Sequence, residues 1–206
     1  MAHPSISSVD TPCVPKDNEI VGVWLKQLRT FPDDRGFFRE IVRATDPFFV
    51  TDSGKAAFQQ WSHSCMSQNV VKAWHYHHVQ HDWWYIAVGQ IETVLFDNRP
   101  ESPTYKRKLV FRMGESLPHS TAASVCVRIP PGVLHALKVL SPIAHLFYIT
   151  SEIYNQNEEG RFPYNSSLVG HDWGSEVIVA DNDTRTFEPT SSRIPMDKCS
   201  LYSELR

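Results

Sequence analysis

Short runs of β-branched and aromatic residues, broken roughly every 8–12 positions by turn residues, dominate the pattern of this chain. Val21 to Phe31 and Gly36 to Val42 are the first two strand-like runs, with the turn cluster Pro32-Asp33-Asp34 between them. Phe58 to Met66 and Val70 to His78 follow. Trp83 to Val88 is continuously apolar and stops at Gly89, the signature of a strand covered on both faces. Ile91 to Phe96 ends in the turn Asp97-Asn98-Arg99-Pro100. Leu109 to Phe111, Val125 to Ile129, Ala136 to Leu140 and Ala144 to Thr150 complete the series. In the run at 125–129, Val125, Val127 and Ile129 alternate with Cys126 and Arg128, which predicts one buried face. Helical signal is confined to a turn or two within Asp46 to Gln60 and irregular structure within Gly170 to Asn182. Such a series of short strands predicts an all-β sandwich or barrel.

Composition narrows the class. At 206 residues the chain has the length of one domain with arms. Residues 20–186 are expected to be the domain, 1–19 a polar N-terminal arm, and 187–206 a C-terminal arm rich in proline, serine and charge. Hydrophobic residues make up 41%, charged residues 21% and the net charge is −3, so no basic surplus points to nucleic acid or an anionic membrane. No apolar run approaches the ~18 residues of a membrane helix, and Met1 to Pro15 lacks the layout of a signal peptide. The expectation is a soluble, cytoplasmic protein. Cys13, Cys65, Cys126 and Cys199 are scattered without a CxxC pair and read as reduced thiols with no assigned role.

Four of ten histidines fall within Trp74 to Asp82. On a strand, period two puts His75 and His77 on one face and His78 on the other. Asp82 opens the next strand, and His135 follows Pro130-Pro131-Gly132 on a distant one. Two imidazoles from one strand, a carboxylate and a third imidazole suit one divalent transition metal such as Fe, Mn, Ni or Zn, with positions left open for substrate. A metal-free, hydrogen-bonded histidine pocket is the equal alternative. The spacing His75-x-His77, Asp82, Gly89, then Pro130-x-Gly132-x-x-His135 resembles the two cupin motifs, with Asp82 in place of the usual Glu. Asn69, Ser124 and Val139 replace other motif residues, and Asn69 tolerates the left-handed conformation of the Gly it replaces. His3, His119 and His171 have no evident partners and read as surface residues.

Four further stretches sharpen the resemblance. Asp34-Arg35-Gly36-Phe37-Phe38-Arg39-Glu40 resembles the DxRGxFxE opening of the dTDP-4-dehydrorhamnose 3,5-epimerase family, the RmlC-like cupins. Val71 to Tyr76, Asp97 with Ser102-Pro103-Thr104, and Ile129 to Ala136 match its later motifs in order, followed by Val139-Leu140-Ser141 and Tyr148. The resemblance covers about Val21 to Trp173. It implies a cupin double-stranded β-helix, that is, an all-β jelly-roll barrel with short helices and terminal arms. It also implies a strand-exchanging homodimer and a nucleotide-sugar substrate. In the family a His base removes the proton beside a 4-keto group and a Tyr returns one on the opposite face. By position these are His75 and Tyr148, with Asp183, or Asp181, orienting the base. The implied nucleotide and diphosphate contacts are Arg35, Phe38, Glu40, Gln60, Lys72 and Tyr154.

Two departures bear on the chemistry. The family's catalytic Lys falls on Asp82, where a carboxylate would repel an enolate. The diphosphate-binding Arg falls on Lys72, which keeps the charge and loses the fork. A metal held by His75, His77, Asp82 and His135 would restore positive charge at the enolate, but would then occupy the base. Tyr148 or His145 would have to move the proton instead. Trp74, Trp83 and Trp84 read as barrel wall or, alternatively, as a stacking surface. His145 is expected on the opposite face from Tyr148, at a surface or interface; of Phe37 and Phe38, one is expected in the core. Glu158-Glu159 reads as a solvated turn. The reading is a nucleotide-sugar epimerase or isomerase acting on a dTDP-4-keto-deoxysugar or similar substrate. Its alternatives are a metal-dependent cupin enzyme (dioxygenase or metal-assisted isomerase) and a non-catalytic sugar- or nucleotide-binding cupin.

Overall fold

The computed structural model describes residues 19–43, 45–54, 58–115 and 122–190. Most of both expected arms, with Cys13, Cys199, His3 and His119, lies outside the described residues. Twelve strands follow in chain order: β1 Trp24–Gln27, β2 Thr30–Asp33, β3 Gly36–Arg39, β4 Gln60–Ser67, β5 Val71–His77 and β6 Asp82–Val88. Then come β7 Gln90–Asp97, β8 Lys108–Gly114, β9 Val125–Ile129, β10 Val133–Val139, β11 Ile143–Thr150 and β12 Glu159–Arg161. Helical structure among the described residues is limited to single 3₁₀ turns at Pro47–Phe49, Gln156–Glu158 and Asp181–Thr184. None is long and apolar enough to cross a membrane. The first turn begins where Asp46 accepts the Phe48 N–H, a side-chain cap ahead of Pro47.

Two five-stranded antiparallel sheets face each other, in the order β1-β9-β6-β11-β4 and β12-β5-β10-β7-β8, and β2-β3 form a separate hairpin. This is the expected jelly roll. The main core fills the space between the sheets; Leu95, Phe111 and Met113 from one meet Ile86, Val127 and Leu146 from the other. Each such side chain withdrawn from water contributes roughly 2–3 kcal/mol. The second sheet's outer face is also covered. Trp74, Tyr76 and Phe96 pack there against Val169 and Trp173 from the segment that returns after β12. A covering on both faces is why β5, β7 and β10 show little alternation in burial, whereas β8 at the sheet's edge alternates.

Several expectations change for identifiable reasons. Arg128 lies opposite the core face of β9 yet is 1% exposed, because the segment after the first 3₁₀ turn closes over it and Asp52 takes its guanidinium. Glu158 and Glu159 are buried rather than solvated, since Glu159 opens β12 at the edge of the second sheet. Phe37 and Phe38 are both exposed, because their strand pairs only with β2 in a hairpin separate from the two main sheets. His171 is not a free surface residue: it sits beside Trp74 and Trp173 and bonds Glu92 at 3.0 Å. Asn69 does adopt φ +65°, the left-handed geometry its position in the turn before β5 requires.

Candidate active site

Strand β5 supplies the centre of the site. Its register against β10 shifts between His135 and Leu137, so that His75 pairs with His135 and Lys72 with Leu137. This bulge carries Lys72, three residues before His75, onto the same cavity as His75 and His77. Three adjacent strands then place Arg161, His75 and His135 side by side, and Glu159 lies next to His77. From the opposite sheet, β6 and β11 bring Asp82 beside Thr150 and Trp84 beside Tyr148. The cavity between them measures roughly 290 Å³ and is lined by both sheets, with Gln60 and Tyr154 among its walls.

The polar groups separate into three sets. In the first, His75 Nε2 lies 3.0 Å from Asp183 Oδ1, and Arg161 Nη1 donates to the same oxygen at 3.2 Å. Arg161 also holds Glu159 at 2.5 Å, so one guanidinium ties β12 to the 3₁₀ turn that carries Asp183. Asp183 is the carboxylate at His75; Asp181 makes no such contact in the structure. In the second, Lys72 donates to Ser64 Oγ at 2.8 Å. Burial pushes the Lys72 pKa down, opposed by the charge of Asp183.

The third set joins His77, Asp82 and His135, whose nearest ligand atoms lie within 4.8 Å of one another. Asp82 Oδ2 is 3.9 Å from His77 Nε2 and 3.8 Å from His135 Nε2. Gln80 Nε2 donates to Asp82 Oδ1 at 2.7 Å, and Trp84 Nε1 donates to Oδ2 at 3.3 Å. Burial drives both imidazoles toward the neutral form: the His77 pKa falls, and that of His135 is pushed down to about 3. His75 stands outside this group, so the four-residue cluster expected from the sequence divides into a histidine paired with a carboxylate and a separate three-residue set. Two imidazoles and one carboxylate at a cavity wall fit a divalent transition metal by donor type.

The expected substrate contacts divide as well. Gln60, Lys72 and Tyr154 line the cavity, and Gln60 Oε1 accepts the Tyr154 N–H at 2.9 Å. Arg35, Phe38 and Glu40 do not: Arg35 bonds Asp33, Glu40 bonds Arg43, and Phe38 is 66% exposed. Of the three tryptophans, only Trp84 lines the cavity. Trp74 is core on the far side of its sheet, and Trp83 faces outward over an apolar groove. His145 also faces outward, 2.9 Å from His63 Nε2. Cys126 is buried, which pushes its thiol up to about 12 and leaves it a packing group. Sequence reasoning misses Arg161, Gln80 and Ser64, and takes Glu159 for part of a solvated turn. Glu159 and Arg161 carry the one available signal, two charges at period two around Gly160.

The family model for dTDP-4-dehydrorhamnose 3,5-epimerase matches residues 17–188. The chain is 37% identical over 161 residues to the spore coat polysaccharide biosynthesis protein SpsL of Bacillus subtilis, covering 76% of this chain and 98% of that one. It is 29% identical over 157 residues to the dTDP-4-dehydrorhamnose 3,5-epimerase of Salmonella typhimurium, covering 75% and 82%. The crystal structure of a dTDP sugar isomerase from Desulfovibrio desulfuricans superposes with a TM-score of 0.66 at 26% identity, covering 74% of this chain and 91% of that one.

Proposed function

Since the chain belongs to the dTDP-4-dehydrorhamnose 3,5-epimerase family, we propose that it inverts a carbon beside the keto group of a dTDP-linked 4-keto-deoxysugar. His75 is the base that removes the proton α to the ketone. Asp183 orients its imidazole and favours the imidazolium that forms. Tyr148, on the facing sheet, returns a proton to the opposite side of the sugar ring. Lys72 meets the diphosphate as a point charge, and Gln60 and Tyr154 border the nucleotide.

The observation that carries this reading is the His75–Asp183 pair at 3.0 Å on one wall of a cavity whose other wall presents Tyr148. A carboxylate-held histidine opposite a phenol is what proton removal and return on two faces of a ring require. Arg35, Phe38 and Glu40 lie outside the cavity of their own chain. Their exposed hairpin, and an apolar groove on the outer face of the first sheet, support a homodimer in which each hairpin reaches the other copy's cavity. The test is incubation with a dTDP-4-keto-6-deoxyhexose in D₂O. The native protein is expected to place deuterium beside the keto group, and His75→Ala to abolish that exchange. Normal turnover by His75→Ala would overturn the assignment.

A further inference from the structure

We propose that His77, Asp82 and His135 bind one divalent transition-metal ion, with His75 outside the coordination sphere. His135 Nδ1 lies 3.2 Å from the Val133 carbonyl, which can only accept, so Nδ1 is the donor and the uncharged ring keeps its lone pair on Nε2. That bare nitrogen faces Asp82 Oδ2, another acceptor, at 3.8 Å. Gln80 Nε2 lies 3.3 Å from His77 Nε2 while donating to Asp82, so the amide supplies hydrogens to both and the His77 nitrogen is an acceptor too. Three acceptors therefore converge, each at least nine-tenths buried. Among the described residues, no Lys or Arg side chain is paired with the buried Asp82 carboxylate, whose contacts are His77, His135, Gln80 and Trp84. The cavity's cations, Lys72 and Arg161, are engaged by Ser64 and by Glu159 and Asp183.

Size and chemistry agree with a small dication. Ligands ~2.1 Å from a tetrahedral centre lie about 3.4 Å apart; the two Asp82 separations of 3.8 and 3.9 Å are close to that, and all three ligand atoms lie within 4.8 Å of one another, so an ion would draw the set inward. Two nitrogens and one oxygen favour Mn, Fe, Co, Ni or Zn over all-oxygen Mg or Ca sites. The Val133 carbonyl at His135 Nδ1 and the Gln80 amide at Asp82 Oδ1 are the outer partners that hold two of the ligands in place, and the ion would displace the Gln80 hydrogen from His77 Nε2. Because the three residues line the cavity, the remaining positions of the ion would open toward the substrate. Resting on the epimerase reading, the ion would supply positive charge where the family's Lys is replaced by Asp82.

The experiment uses the full chain, tag-free, stripped with chelator and dialysed. MnCl₂, CoCl₂ and ZnCl₂ are titrated calorimetrically, and cobalt is followed by its visible absorption. About one equivalent per chain is expected for the native protein and for His75→Ala. Asp82→Asn, which keeps the shape of the side chain, should weaken binding at least 100-fold, with folding checked by circular dichroism. His135→Gln is the second variant should Asp82→Asn misfold. No stoichiometric binding of any of the three ions, or a full equivalent retained at native affinity by either folded variant, would overturn the site. Loss of the ion in folded His75→Ala would overturn the division between base and ligand. Stoichiometric metal without deuterium exchange would leave the site standing and overturn the epimerase reading instead.

Discussion

At the scale of single residues, Asp183 has two jobs that a substitution separates. It holds His75 in orientation and it receives Arg161. Asp183→Asn keeps the shape and removes the charge, so the imidazolium formed on proton removal loses its counterion. Exchange is expected to slow by on the order of 10²-fold with little change in KM. A fall in binding with an unchanged rate would mean that Asp183 only shapes the cavity. Tyr148→Phe makes the complementary case. With the base intact, solvent deuterium should still enter, while inversion slows by at least tenfold, measured by NMR on the same sample. His75 and Tyr148 are legible because the family resemblance carries them; Asp183 lies beyond the stretch the resemblance covers and is legible only by position, with Asp181 as the alternative. Arg161 is not, since it lies in a three-residue strand behind two glutamates whose composition mimics a solvated turn. Only strand pairing to His75 reveals that it faces the site.

At the scale of elements, the strands between 58 and 150 were legible from alternation and from turn residues, to within a few residues at either end. What alternation does not show is which faces are covered twice. Arg128 was the casualty, because its cover is a loop far away in sequence. The bulge in β5 was equally hidden, being a property of the pairing with β10 and not of either strand alone. The D-x-R-x-x-SPT motif, by contrast, is explained by the structure as a latch on the turn after β7. Asp97 accepts from Arg99 Nε at 2.7 Å and from the hydroxyls of Ser102 and Thr104 at 2.6 Å each. Burial alone would raise the Asp97 pKa, but the Arg99 bonds and charge with the two hydroxyls outweigh it and hold it below the usual carboxylate value. A folded-state pKa below the unfolded one gives stability that is present above about pH 4 and lost as pH falls through the lowered value. Asp97→Asn takes the counter-charge from a buried guanidinium, which keeps its bond to the Val21 carbonyl, and is expected to cost about 3 kcal/mol at pH 7. In urea melts the gap from the native protein should narrow steadily below pH 4. A constant gap down to pH 2 would show that Asp97 acts by shape alone.

At the scale of the whole molecule, the cavity lacks three of the contacts the sequence led one to expect, and the surface has apolar area to spare. Trp61 is 64% exposed and Phe58 51% exposed beside the outward groove of the first sheet, where Phe147 stacks on His63. Exposed apolar patches of this kind mark interfaces. Both facts have one explanation if two copies pair through this face and each lends its β2-β3 hairpin to the other. Sedimentation should then give twice the mass of one chain at micromolar concentration, and Trp61→Glu should give monomers with kcat/KM reduced at least tenfold. A stricter test exploits the division of the site between chains. His75→Ala removes the base but leaves a good hairpin. Arg35→Ala with Phe38→Ala spoils the hairpin but leaves a good base. Each variant alone should have little activity. Co-expressed, they form mixed dimers in which one cavity has both lesions and the other has neither. With random pairing half of the dimers are mixed, so activity should return to about a quarter of the native value. A site complete within one chain would show no recovery above the mean of the two separate variants, and the hairpin would then have no part in the neighbouring cavity.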